Sequence, residues 1–317
     1  MKILVTGSAG FIGFHASKSL LSRGDIVIGI DNLNKYYDVS LKEARNNLLF
    51  QFPNYVFYKV NIADKESFFE VFRKEKPDKV LNLAAQAGVR YSLENPFVYE
   101  ESNLKGFLNV LEACREFGVK HLVYASSSSV YGNNKKIPFS EADRVDEPIS
   151  LYAATKKSNE EMAFAYHKLY GLNVTGLRFF TVYGPYGRPD MALFSFTESV
   201  LAGKPIKVFN NGNMKRDFTY IDDIVQGTLA ALDNPFNCEI FNLARGESQN
   251  LLDFIKEIEV NLNLEAKKEF LQLQKGDVPI TSADISKAKE LLGYNPQISI
   301  SAGVKKFVEW YKEYYEI

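Results

Sequence analysis

The sequence predicts an α/β protein: a doubly wound parallel sheet with a smaller α/β lobe supplied by the later part of the chain. Three observations predict it. Short, wholly apolar runs end in glycine or small residues, as strands buried on both faces of a parallel sheet do. These runs alternate with stretches of helical length through the first 178 residues. The rhythm then breaks at Gly184-Pro185-Tyr186-Gly187-Arg188-Pro189, a turn-rich hinge.

Ile3 to Val5 is the first strand, and Gly7-Ser8-Ala9-Gly10-Phe11-Ile12-Gly13 turns into a helix that runs to about Ser22 and is stopped by Gly24. Ile26 to Ile30 is the second strand, closed by Asp31. Val56 to Val60, Lys79 to Leu83, His121 to Ala125 and Val174 to Arg178 continue the strands, with helices starting at Lys65, preceding Gly118 and carrying Tyr152. Past the hinge come a helix over Ala192 to Leu201, a strand over Ile206 to Phe209, a loop over Asn210 to Asn213 and a helix from Ile221 to Leu232. The expected division is a first lobe over 1–178, rejoined by about 217–243, and a second lobe over 179–317. In Phe307-Val308-Glu309-Trp310-Tyr311 the aromatic residues recur at helical spacing, which predicts core packing rather than a ligand stack.

A chain of 317 residues suits one large α/β unit or two coupled lobes. A net charge of −1 gives no pull towards nucleic acid or an anionic membrane, so neither is an expected partner. The opening apolar run is halted by Gly7, too short for a signal peptide, and no window approaches the ~20 apolar residues of a membrane span. Cytoplasmic residence is the default expectation. Cys114 and Cys238 suggest no disulfide framework, and His15, His121 and His167 show no metal-ligand spacing, so no metal is expected.

Gly7, Gly10 and Gly13 form a GxxGxxG variant of the dinucleotide fingerprint. The context carries it. The glycines follow a strand, open a helix and precede Asp31 at the end of the next strand, as a Rossmann-type site requires. Glycines admit a pyrophosphate, the helix start offers unpaired N–H groups, and the carboxylate accepts from ribose hydroxyls. An acid at Asp31 would repel a 2′-phosphate, which favours NAD over NADP; Lys35 is the nearest basic residue in sequence. Leu83-Ala84-Ala85-Gln86 ends a strand with small residues, which suits a cofactor lying across strand ends.

Tyr152 and Lys156 are four apart, on one face of a helix. A neighbouring ammonium favours the phenolate, and Lys156 has a second possible task on the nicotinamide ribose. Ser127, in the run Ser126-Ser127-Ser128-Ser129, would add a second hydrogen-bonding group to the same substrate oxygen. On its own the pair reads more readily as two surface residues; the glycine loop and Asp31 make it an oxidation site.

These features together resemble the extended short-chain dehydrogenase/reductase family, and within it the nucleotide-sugar 4-epimerases, those acting on UDP-glucuronate above all. The residues behind this include Asp31 to Asp38, Ala85 to Pro96, Tyr124 to Gly132, Leu151 to Lys157, Phe179 to Pro185, Gly187 to Ala192 and Arg216 to Asp223; the match runs from residue 1 to roughly 310. The resemblance implies that the first lobe binds NAD, tightly held and recycled, and the second a UDP-sugar. It implies oxidation at carbon 4, rotation of the 4-keto intermediate and reduction on its other face, interconverting UDP-glucuronate and UDP-galacturonate. Tyr152, Lys156 and Ser127 would be catalytic. Gly7, Gly10, Phe11, Ile12, Gly13, Asp31, Asn32, Asn61, Ile62, Leu83, Ala84, Ala85 and Lys156 would hold the cofactor.

On the substrate side the resemblance implies Arg90, Ser127, Ser128, Ser129 and Tyr152, with Thr181 and Arg188 at the carboxylate. It places Val208 and Phe209 against uracil, Arg216 on the phosphates and Asp277 on the uridine ribose. Relatives that dehydrate or decarboxylate carry an acid after the active-site Ser or Thr; Ser128 offers none, which points to simple epimerisation. Asn61 departs from a usual Asp at the adenine, and Asn82 from a frequent His before Leu-Ala-Ala. A homodimer, formed by the helices before Gly118 and after Leu151, is implied in the same way. The alternatives are a 4-epimerase of UDP-glucose or of an N-acetylated UDP-uronate sugar, and a regulatory or scaffolding NAD-binding protein without catalysis. Such proteins commonly lose the Tyr or the Lys, and both stand here.

Overall fold

The computed structural model describes residues 1–274 and 276–317. Seven parallel strands form its centre: β1 Lys2–Thr6, β2 Ile26–Asp31, β3 Tyr55–Lys59, β4 Lys79–Asn82, β5 His121–Ser127, β6 Val174–Phe179 and β7 Cys238–Leu243. Their order across the sheet is β7-β6-β5-β4-β1-β2-β3. The order reverses between β1 and β4, which opens a crevice beyond their carboxyl ends. β4 and β6 are buried along their whole length, with the polar Lys79, Asn82, Thr175 and Arg178 included. β7 pairs with β6 from Cys238↔Val174 to Leu243↔Phe179.

Helices α1 Phe11–Ser22, α2 Val39–Leu49, α3 Lys65–Glu75, α4 Gly106–Glu116 and α5 Leu151–Tyr170 make the crossovers. The sequence reading has no counterpart for α2. Its buried face carries Lys42, Arg45 and Asn46 beside Leu41 and Leu49, so no apolar stripe marks it. Asp38 starts it by accepting from the Ser40 N–H at 2.9 Å. The helix before Gly118 is shorter than its pattern suggests, because Glu100–Lys105 is a wide i→i+5 turn.

After β6 the chain builds smaller units. Thr181–Tyr183 pairs in parallel with Phe218–Tyr220, and Ile206–Val208 with Lys268–Phe270. The strand expected to reach Phe209 ends at Val208, and a 3-10 turn follows in which Asn210 and Asn211 have φ of 52° and 50°. Helices α6 Ala192–Leu201, α7 Ile221–Asp233, α8 Leu251–Leu262, α9 Ser286–Leu292 and α10 Ile300–Tyr315 complete the chain. Phe307, Trp310 and Tyr311 of α10 are buried against Phe194 of α6, which is the core packing their spacing predicts.

Asp217 pins three loops together. Its carboxylate accepts from the backbone N–H groups of Arg245, Gly246 and Ala283 at 2.8, 3.0 and 3.1 Å. Burial pushes its pKa up to about 6, against these bonds. An Asn there would turn its NH2 towards N–H donors whichever way it faced. Asp217→Asn is therefore expected to cost about 3 kcal/mol, the scale of one or two buried donors left unpaired. Denaturant unfolding of the two proteins checks it, and a loss under about 0.5 kcal/mol would contradict this account of the loop junction.

Candidate active site

The cofactor side is built on the crevice between β1 and β4. Gly7 has φ +70°, and a Cβ there would stand 2.8 Å from the Ala84 nitrogen. At Gly13 a Cβ would stand 2.0 Å from the Gly7 carbonyl oxygen. Only glycine lets the loop and α1 lie this close to β4. No side chain caps α1, so its first-turn N–H groups are left for an anion. Asp31, 8% exposed, accepts from the Leu33 N–H at 2.8 Å; burial raises its pKa, and Lys42 is the foremost cation opposing that rise.

A cleft of about 240 Å³ runs over these groups. Gly7, Gly10, Phe11, Ile12, Gly13, Asp31, Asn32, Asn61, Ile62, Leu83, Ala84, Ala85 and Lys156 all line it. These residues fit a dinucleotide: an open helix end over glycines for the diphosphate and an acid at the ribose position. Asn61 already accepts from the Ala63 N–H at 3.0 Å, which leaves its oxygen one lone pair for an adenine amino group. The basic residue beside Asp31 is Lys42 of α2 rather than Lys35, and its ammonium is bound to the Asn34 carbonyl and side-chain oxygens at 2.9 and 2.7 Å.

Ser150 caps α5 by accepting from the Ala153 N–H at 3.1 Å and so sets Tyr152 in the first turn. Lys156 lies one turn on, 3% exposed, and its Nζ donates to the Ala125 carbonyl of β5 at 2.8 Å. Burial brings its pKa down to about 8, with Glu160 partly offsetting this. The Tyr152 pKa is raised by burial, opposed by a hydrogen bond from Ser127 and by the guanidinium of Arg188. Spacing assigned the phenolate-favouring charge to Lys156. Lys156 itself is directed at Ala125, and the Arg188 guanidinium of the hinge is a further cation acting on Tyr152.

The depressed lysine has a pH signature. Between about pH 8 and 10.5 the unfolded chain holds a proton on Lys156 that the folded chain has lost, so stability rises with pH across that window. Relative to Lys156→Met, the wild type is expected to gain about 3 kcal/mol there. Unfolding of both proteins, stripped of nucleotide, from pH 7 to 11 checks it; parallel curves would contradict the buried ammonium.

The serine run divides. Ser126 is buried and donates to Glu160 Oε1 at 2.6 Å; Glu160 is also held by Arg178 through two bonds of 2.8 Å. Arg178 donates on to the Tyr131 hydroxyl at 3.0 Å, which donates to Asn242 of β7 at 2.7 Å. Ser127 ends β5 and caps the next turn by accepting from the Ser129 N–H and hydroxyl at 3.2 and 3.0 Å. Sequence reasoning missed Asn103 in the wide turn. It fixes Gln86 through its N–H at 2.8 Å and its carbonyl at 3.0 Å, and donates to Thr155 of α5 at 3.0 Å.

A second cavity of about 600 Å³ opens on the other side of Tyr152. Arg90, Ser127, Ser128, Ser129, Thr181, Arg188, Phe209, Arg216 and Asp277 line it. Val208 does not. Its side chain is fully buried in the core because the alternation of Ile206–Val208 turns it inward, so Phe209 alone of that pair faces the cavity. The Arg90 guanidinium lies 4.7 Å from the Phe209 ring centre. Asp277 sits between Arg90 and Arg216, at 3.3 and 3.5 Å. Arg188 is paired with Asp190, which also accepts from the Tyr36 hydroxyl at 3.1 Å. Ser127, Tyr152 and Arg188 are among the residues that line both cavities, together with Tyr36, Phe179, Phe180 and Met191, so the two cavities meet there.

A parallel sheet whose dinucleotide cleft, lined by Lys156, meets a second cavity at Ser127 and Tyr152 defines the class: an NAD-dependent enzyme of the extended short-chain dehydrogenase/reductase type. The chain belongs to the NAD dependent epimerase/dehydratase family, which it matches over residues 3–244. It is 49% identical over 315 residues to a UDP-glucuronate 4-epimerase of Thermodesulfobacterium geofontis, covering 99% of this chain and 97% of that one. With UDP-glucuronate 4-epimerase 4 of Arabidopsis thaliana it shares 50% identity over 331 residues, 99% of this chain and 76% of the other. The crystal structure of UDP-glucuronic acid 4-epimerase from Bacillus cereus, in complex with UDP-glucuronic acid and NAD, superposes with a TM-score of 0.94. That chain is 37% identical, and the superposition covers 99% of this chain and all of that one.

Proposed function

We propose that the protein interconverts UDP-glucuronate and UDP-galacturonate at carbon 4. The observation that carries this is the junction itself, where Tyr152 and Ser127 stand between the two cavities and the hydroxyls of Ser128, Ser129 and Thr181 surround the second. The names of the two curated relatives, each about half identical over nearly the whole chain, support the same substrate. NAD, when bound, supplies a hydride acceptor and donor beside carbon 4, and it is retained and recycled.

Tyr152, its phenolate favoured by Ser127 and Arg188, takes the proton from the 4-hydroxyl and later returns it. Lys156 and the residues of the first cleft hold the cofactor; Lys156, anchored to Ala125, is placed to bond the ribose. Phe209 packs the base, and Arg216 and Asp277 bind the phosphates and ribose of UDP, which leaves the sugar free to turn. Oxidation at carbon 4 of a uronate makes a β-keto acid, disposed to lose carbon dioxide. Neutral hydroxyls from Ser128, Ser129 and Thr181, with the guanidinium of Arg188, anchor the carboxylate without offering it a proton.

The division into an NAD-binding part, 1–178 with about 217–243, and a UDP-sugar part over the rest of 179–317 belongs to this reading, supported by the pairing of β7 with β6. So does a homodimer through α4 and α5, which expose Leu108, Phe164 and Leu169. No helix among the described residues is long and apolar enough to cross a membrane. Cytoplasmic residence is proposed on the two cysteines, which are free.

Incubation of the purified protein with UDP-glucuronate, followed by chromatography, tests the activity. UDP-galacturonate is the expected product; UDP-pentose, or faster turnover of UDP-glucose, would overturn the reading. Arg188→Ala is expected to lower kcat/KM for UDP-glucuronate at least tenfold more than for UDP-glucose, the scale of one lost charged hydrogen bond. Equal losses for the two sugars would remove Arg188 from the carboxylate.

A further inference from the structure

The geometry points to Arg45 as a positioning residue that couples the cofactor loop to the sugar end of the site. Arg45 is fully buried and lines neither cavity. It comes from α2, the helix whose polar buried face hid it from periodicity. Its guanidinium donates five hydrogen bonds, all to neutral oxygens. Nη1 takes the Ala9 carbonyl, between Gly7 and Gly10 of the phosphate loop, at 2.9 Å, and the Tyr37 hydroxyl at 2.7 Å. Nε and Nη2 grip the Tyr186 carbonyl at 3.1 and 2.7 Å, and Nη2 also takes that of Gly187 at 3.1 Å.

The gripped segment is a strained one. Tyr186 has φ +56°, a left-handed conformation that a bulky residue adopts only when its surroundings over-determine it. Its ring is packed between Phe14 of α1 and Trp310 of α10, at 5.1 and 4.8 Å between centres, and its carbonyl is held by Arg45. Arg188 follows two residues on and lines both cavities. The phosphate loop therefore sets the direction of the hinge, and the hinge sets Arg188. A planar fork is what makes this possible: one guanidinium spans two chain segments that no single ammonium could hold at once.

Arg45→Lys keeps the charge and loses the fork; Arg45→Gln loses the charge as well. In the NAD-loaded protein, titration calorimetry with UDP and with UDP-glucuronate separates positioning from general damage. Both variants are expected to bind UDP as the wild type does, because Phe209, Arg216 and Asp277 lie elsewhere. Both should bind UDP-glucuronate about tenfold more weakly. The effect should also be non-additive with Arg188→Ala: once Arg188 is truncated, Arg45→Lys should weaken UDP-glucuronate no further. Equal loss for UDP and UDP-glucuronate, or additive losses in the double variant, would reduce Arg45 to a structural residue and overturn the inference. The inference rests on the uronate reading only for its probe. A wild type that prefers UDP-glucose defeats that reading, and the same cycle run with UDP-glucose then decides this one.

Discussion

Tyr152→Phe is expected to lower turnover of UDP-glucuronate about a thousandfold while leaving the bound nucleotide in place. The substitution keeps the ring, which packs edge-on against Tyr99 with centres 6.1 Å apart, and removes only the oxygen. That oxygen faces two groups that favour its ionised form, the Ser127 hydroxyl and the Arg188 guanidinium, against burial that opposes it. The cleft that we propose holds the cofactor is lined by the glycine loop, Asp31 and the end of β4, none of which changes. Turnover by chromatography, with the NAD released on denaturation counted by absorbance, checks both halves of the statement. A variant keeping a tenth of the wild-type rate would show that another group moves the proton.

Arg178→Met is expected to destabilise the protein by about 3–5 kcal/mol, as removal of one partner from a buried ion pair does. Glu160 and Arg178 are 4% and 2% exposed, and their two bonds sit among Ser126, Tyr131 and Asn242. Removing the guanidinium leaves a buried carboxylate answered by one serine and, at 4.0 Å, by the Lys157 ammonium. Glu160 lies one turn beyond Lys156 on α5, so the same change should loosen the helix that carries Tyr152 and Lys156, the pair proposed to be catalytic. The double variant Glu160→Met/Arg178→Met should recover part of the loss, because neither charge is then left unanswered. Denaturant unfolding of the three proteins tests this; a single variant within about 1 kcal/mol of the wild type would show that the pair does not brace the active helix.

What could be read from the chain follows physical lines. β1, its glycine loop and the Asp at the end of β2 are local patterns, and every residue expected around NAD lines one cleft. Patterns fail where burial is polar. α2 was missed because Lys42, Arg45 and Asn46 face inward; Lys42 holds the loop after Asp31, Arg45 holds the hinge, and Asn46 accepts from the Tyr55 hydroxyl of β3. Val208 was misplaced although a signal existed: alternation along Ile206–Val208 turns Val208 into the core and Lys207 outward. The pairing of Arg216 with Asp277, 61 residues apart, leaves no local trace. Nor does the charge that acts on Tyr152. Helical spacing brings Lys156 onto the same face, but only the folded hinge brings in Arg188.

UDP-glucuronate carrying deuterium at carbon 4, incubated in ordinary water with the protein as purified and no added nucleotide, gives the most direct test of a reaction that moves one hydrogen off carbon 4 and back. The account predicts UDP-galacturonate that keeps its deuterium at carbon 4. Loss of that deuterium to solvent hydrogen in the epimerised product would contradict it.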